Sequence, residues 1–320
     1  MRFLLGRLMR SGFLLVGVSL LSFLLLQLAP GDFFDEMKLD PQISPQTIAG
    51  LRTQFGLDRS LPVRYGLWLQ SAARGDFGYS FAYNSPVAPL LKTRVRNTAL
   101  LAGVSTLIAW LLALVIGVWS AMRAGHWDDR LCTGVMSISL ALPDVLVALA
   151  LLLVATRTGV FPVGGMVSTD FADLTLWQKA RDIGAHMMLP VLALVFGLVP
   201  TLVRHVRSSV AEALSAPWVR AARAHGIAPG RLLLRHVLPV AANPLISLFG
   251  VSLATLLSVS LLIEIIMSWP GLGPFFLEAI MARDVYVVIG TVLLSTVFLV
   301  AGNLIADGLL FAADPRIRRS

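Results

Sequence analysis

The 320-residue chain is 57% hydrophobic and only 14% charged, with a mean hydropathy of +0.80, against roughly 25% charge in an ordinary soluble domain. That excess of apolar side chains must face lipid, and it excludes a disordered, collagenous or coiled-coil chain; the single cysteine, Cys132, excludes a disulfide-stapled module. The net charge of +8 is ambiguous in a membrane protein, because basic residues gather in cytoplasmic loops whatever the partners are.

Six stretches are long and apolar enough to cross a bilayer as helices: Ser11 to Gly31, Asn97 to Met122, Leu131 to Thr156, Met187 to Val203, about Val240 to Met267, and Val285 to about Phe311. The third is interrupted by Asp144, and the fifth and sixth carry Glu264 and Asp307 near their ends. Arg2, Arg7 and Arg10 ahead of the first stretch also fit a secretory signal peptide. Its end, Gln27-Leu28-Ala29-Pro30, lacks the small residue needed three positions before a cut, and a proline would follow the cut, so the expectation is a retained helix.

Placing the N-terminus inside puts fourteen of the 26 basic residues on the inner side, six of them between Arg204 and Arg235. The short outer loops then hold only Arg157, Lys179, Arg181 and Arg283, so both termini are expected in the cytoplasm. The hydrophilic stretch after the first span, with its turn-rich Arg74-Gly75-Asp76-Phe77-Gly78-Tyr79-Ser80 block, reads as a small extracytoplasmic segment. The fold expected is thus an all-α membrane protein with six transmembrane helices and a small extracytoplasmic segment between helices 1 and 2.

Several chemistries lack their residues. None of the three lysines follows a glycine as a phosphate-binding loop requires, and His-Glu-x-x-His and Gly-x-Ser-x-Gly are both missing. The five histidines include no pair spaced for a shared metal within a span. No metal, cofactor or catalytic site is therefore expected in this chain.

The segment from Trp218 to Pro239 carries the most information. Pro217 suits a first helical turn, the alanine- and arginine-rich run to His225 favours helix, Gly226 ends it, and Arg231 to Val237 starts a second helix that Pro239 bends or stops. Arg220 and Arg223, and Arg231 and Arg235, share helix faces. Charge alone would also fit a loop resting on anionic lipid headgroups. The spacing Ala221-Ala222, Gly226, Leu238-Pro239 resembles the Glu-Ala-Ala…Gly…Ile-x-Leu-Pro signature of ATP-binding-cassette (ABC) importer permeases. It departs from it at Arg220 for Glu and His236 for Ile, and the first departure resembles the peptide-importer branch.

Leu28-Ala29-Pro30-Gly31-Asp32, Phe55-Gly56-Leu57-Asp58, the Arg74 to Ser80 block, Arg235-His236-Val237-Leu238 and Ser268-Trp269-Pro270-Gly271-Leu272-Gly273 extend the resemblance. Together they look like the B-type, first-permease subunit of dipeptide, oligopeptide and nickel importers. The resemblance implies a bacterial inner-membrane protein that forms a heterodimer with a second permease, two ATPase subunits that use ATP and magnesium, and an extracytoplasmic solute-binding protein. No nucleic acid is expected. Residues 1–31 would then be the N-terminal segment and first helix, 32–96 the extracytoplasmic subdomain, and 97–320 a five-helix permease core containing an ATPase-coupling loop at 204–239. Arg220, Ala221, Ala222, Arg223, Gly226, Leu238 and Pro239 are the coupling candidates.

Intramembrane carboxylates are costly enough to be functional by default. Asp144, after Pro143, and Glu264, before Trp269-Pro270-Gly271, are candidates for the substrate pathway, with buried structural hydrogen bonding or snorkelling as the alternative for each. Asp307, near Arg316, Arg318 and Arg319, is expected in an interfacial ion pair. The competing function is an ion-gradient-driven secondary transporter using these acids as ion sites, which leaves the basic hairpin without a purpose.

Overall fold

Unbroken apolar stretches favour helices, because only a helix satisfies its own backbone polar groups within lipid. A computed structural model describes residues 2–28, 33–34, 44–54, 56 and 58–313, and they are overwhelmingly helical. Five of the helices are long and apolar enough to span a membrane, or six when one sharply bent pair counts as a single span. Large apolar side chains stand exposed along them, Phe13 at 83%, Val115 at 70% and Ile138 at 68%, as a lipid-facing surface requires. The chain is a multi-pass membrane protein. It divides into two units, Met1–Thr98 with Pro270–Val300, and Ala99–Trp269 with Ala301–Ser320.

In the first unit, α1 (Arg2–Leu28) is followed by α2 (Pro45–Gln54) and α3 (Leu61–Ala72), then by a short hairpin of β1 (Tyr79–Ser80) and β2 (Ser85–Pro86) paired antiparallel, Tyr79 opposite Pro86. The first part of α4 (Val87–Met122) follows, and α11 (Leu272–Met281) and the start of α12 (Val285–Ala313) complete the unit. Phe23, Trp68 and Ile289 form its small core, and the Trp68 indole donates to the Phe77 carbonyl at 3.1 Å. Asp284, wholly buried, accepts from Ser80 Oγ at 2.7 Å and from the Val287 amide at 3.3 Å, so it caps α12 and ties the hairpin to it. Helix α11 is too short to span a bilayer and was not among the expected elements; Thr98 Oγ1 receives its first amide, that of Leu272, at 2.8 Å. The sequence block Leu28 to Asp32 and part of the Phe55 to Asp58 block lie outside the described residues.

The second unit is built on α7 (Leu176–Ser215), whose 40 residues run to about 60 Å at 1.5 Å per residue, twice a hydrocarbon core. The helix therefore extends well beyond the expected 187–203 stretch at both ends. A capping box between Thr175 and Gln178 fixes its start, and Ala216, forced extended by the following Pro217, fixes its end. Helices α5 (Trp127–Leu140), α6 (Asp144–Thr158) and α10 (Leu238–Ile266) pack against it. The expected third span is thus two helices that meet at 93°. Pro143 supplies no amide and excludes Leu142 from helical backbone, so Ala141 and Leu142 close tight turns onto Ile138 and Ser139 before Asp144 starts α6. Asp144 accordingly begins a helix instead of lying midway along one.

Helices α4 and α7 approach closely at Gly117, where an added Cβ would lie 2.7 Å from Val206 Cβ and 3.1 Å from the Val203 carbonyl oxygen. Gly117→Leu is expected to destabilise the protein by about 1–3 kcal/mol or more, because a packed helix pair cannot absorb the added volume. Gly103→Ala on the same helix, with nothing within 4 Å, should be neutral or slightly stabilising. Thermal unfolding of both variants in detergent checks this; equal stability would contradict the close approach.

Candidate functional site

The basic segment folds as α8 (Pro217–Ala224), a turn, and the single-turn α9 (Pro229–Leu232). Gly226 lies at φ +75°, and the Ile227 amide reaches back to the Ala222 carbonyl at 3.2 Å, so the helix ends in a left-handed turn suited to glycine. Both short helices are two-faced. Val219, Leu232 and Val237 are wholly or almost wholly buried in the core they share with α7 and α10, while Arg220, Arg223, Arg231 and Arg235 are exposed. Ala221 is exposed and Ala222 half-buried, which leaves a low surface beside the arginines.

Pro239 neither stops the chain nor sharply bends it. The helical path continues from Pro229 to Ile266 through a wider π turn at Leu233–Val237, in which the Leu238 amide bonds to the Leu233 carbonyl. The extra residue in that turn makes room where the proline ring would otherwise meet the preceding carbonyl. Leu238 is half-buried and Pro239 exposed in the first turn of α10. The hairpin is thus joined to α10 by continuous helix and to α7 by the single residue Ala216.

One constellation beside this hairpin was missed from the sequence. Asp129, 2% exposed in the first turn of α5, receives Arg207 of α7 through Nε at 2.6 Å and Nη2 at 2.7 Å. Its remaining acceptor capacity is taken by Ser120 Oγ at 2.6 Å and the Gly125 amide at 2.9 Å. A bidentate guanidinium with two further donors satisfies a buried carboxylate fully, which is the condition for tolerating such a charge. Next to it Arg123 pairs with Asp128. The available signal was the adjacent acids Asp128 and Asp129 on the expected inner side, between Arg123 and Arg130.

The two pathway candidates are not brought together. Asp144 lies on a cavity of about 130 Å³ walled mainly by leucines and valines of α7 and α10, with Thr201, Ser252 and Thr255 contributing hydroxyls. Gly197 of α7 faces the carboxylate so closely that a Cβ there would lie 2.2 Å from Asp144 Oδ1. Glu264 is fully buried near the end of α10 and does not line that cavity. The Trp269 amide closes the helix end onto the Glu264 carbonyl at 2.8 Å, with Ser268 left-handed at φ +51°. Asp307 is buried on α12; its expected arginine partners lie outside the described residues. Among the described residues there is no cluster of three or more His, Cys, Asp or Glu side chains placed to hold a metal.

A long core helix, a basic hairpin at its end and an acid-bearing cavity between α7 and α10 define an integral membrane protein built around one helix. The family described as "Binding-protein-dependent transport system inner membrane component" matches residues 113–319, and its N-terminal counterpart matches residues 1–102. The chain belongs to this family: it is a permease subunit of an ABC importer, not an enzyme, and the ion-gradient alternative is set aside.

An oligopeptide transport system permease of Bacillus subtilis, AppB, is 35% identical over 95% of both chains. The dipeptide permease DppB of Escherichia coli is 32% identical over 95% of this chain and 94% of its own, and the oligopeptide permease OppB of Mycobacterium bovis 30% over 100% and 99%. Among solved structures, the methionine ABC transporter MetNI in an inward-facing conformation shares the fold at 19% identity, with a TM-score of 0.55 over 70% of this chain and 96% of that one.

Proposed function

We propose that this chain is the first of two different permease subunits of a peptide importer in the bacterial inner membrane. In this reading the chain crosses the membrane six times with both termini in the cytoplasm, residues 32–96 lie outside, and a solute-binding protein delivers substrate there. The α8–α9 hairpin is the coupling element for one of two ATPase subunits, which bind ATP and magnesium; this chain binds neither. The family, the names of the relatives and the concentration of arginine between residues 204 and 235 support the reading.

The observation that carries it is the hairpin's construction. Buried Val219, Leu232 and Val237 fix it to the core, while four arginines and exposed Ala221 are presented outward on a short element continuous with α10 and one residue from α7. Such an element can receive an acidic partner surface and move α7 and α10 as a body. Asp144, on the cavity between those helices, is proposed to line the pathway. Glu264, enclosed at the end of α10, is proposed for the same path only through movement of that helix.

Reversing Arg220 and Arg223 together to Glu should reduce retention of the ATPase subunits on the purified permease pair by roughly tenfold or more, since each reversal turns an attraction into a repulsion. Full retention would sink the docking assignment.

A further inference from the structure

We propose that the Asp129–Arg207 pair is a positioning joint of the coupling machinery, which carries hairpin movement from α7 into α5 and so to the break that holds Asp144. The inference rests on the hairpin reading above, and every group involved lies within one unit of the chain. Arg207 stands on α7 shortly before the helix ends at Ser215, and α8 begins at Pro217. A push on the hairpin therefore reaches Arg207 across the single extended residue Ala216 and then through the last two turns of α7. One step before it, Val206 is wedged against Gly117 of α4, so α4 and α7 are in register at this level.

From Arg207 one well-bonded route leads into α5, beside the direct packing of α6 and α10 on α7. The guanidinium grips both carboxylate oxygens of Asp129, and the same carboxylate holds Ser120 at the end of α4 and the Gly125 amide in the turn, at φ +86°. Asp129 opens α5, α5 ends at the 93° break, and the first residue beyond that break is Asp144. Hairpin, joint, break and cavity are consecutive parts of one mechanical train. A bidentate pair suits the role better than apolar packing, because it resists sliding and rotation as well as separation.

The test uses the complete transporter, with its partner permease, ATPases and binding protein, in proteoliposomes, with labelled trialanine as the uptake probe and ATP hydrolysis measured in the same vesicles. Asp129→Asn keeps the shape and removes the charge. It should lower trialanine taken up per ATP hydrolysed about tenfold, with the ATPases still bound. Arg207→Lys, which keeps the charge and loses the fork, should give a smaller loss in the same ratio, and the exchange Asp129→Arg with Arg207→Asp should recover part of it.

If Asp129→Asn cannot be recovered as a complex, Arg207→Lys and Ser120→Ala carry the measurement. Uptake and hydrolysis falling in proportion in every recovered variant would mean a purely structural pair and would overturn the proposal. Gly226→Val run alongside separates the two readings. If it uncouples while Asp129→Asn and Arg207→Lys transport normally, the joint is refuted and the hairpin stands. If all of them transport normally per ATP, the hairpin reading falls and the joint with it.

Discussion

Gly226→Val is expected to abolish most uptake, by more than tenfold, while the protein still inserts, pairs with its partner permease and retains the ATPases. The reason is local. At φ +75° a β-branched residue is strained by roughly 1–3 kcal/mol, although nothing stands within 4 Å of the position where its Cβ would go. The strain cannot be relieved by moving neighbours, so the turn itself must change, and with it the angle between α8 and α9. Val219 and Leu232 anchor the two arms in the core, so a changed angle shifts the arginine face and leaves the rest of the unit in place. Gly226→Asn is the control, since Asn tolerates the left-handed region, and it should transport at near-normal rates. Normal uptake by the valine variant would show that the turn geometry has no part in coupling.

What was legible in the sequence follows from which forces are local. The apolar stretches in α10 and α12 match their helices within two residues at each end, because lipid burial and helical hydrogen bonding act on every position in turn. Gly226 was legible for the same kind of reason: a helix end needing a left-handed residue announces itself by glycine. The ends of α7 were not, since residues 176–186 and 204–215 are polar helix beyond any apolar window. Pro143 lies inside one apolar stretch yet divides two helices; the consequence of a proline depends on what packs beside it, here α7. The π turn before Pro239 leaves no mark in residue spacing at all. Asp129 and Arg207 are 78 positions apart, and only the packing of α5 on α7 brings a half-buried guanidinium onto a buried carboxylate.

Gly197 offers the sharpest check on the acid-bearing cavity. A methyl group there would overlap Asp144 Oδ1 at 2.2 Å and Cγ at 2.9 Å, so Gly197→Ala must push the carboxylate aside or part α6 from α7. The cost is expected to be about 1–3 kcal/mol, as for other overpacked sites. In an Asp144→Ala background most of that cost should vanish, because the overlapping atoms are gone; a double-mutant cycle on thermal stability in detergent should give a coupling of at least about 1 kcal/mol. If Asp144 serves passage of the substrate, Gly197→Ala should also lower uptake about as far as Asp144→Asn does, since one displaces the carboxylate and the other removes its charge. Additive stabilities would mean that the two residues do not meet, and full transport by Asp144→Asn would remove that carboxylate from the pathway. A large coupling with full transport would leave Gly197 and Asp144 as a packing pair at the start of α6, holding the 93° break and nothing more.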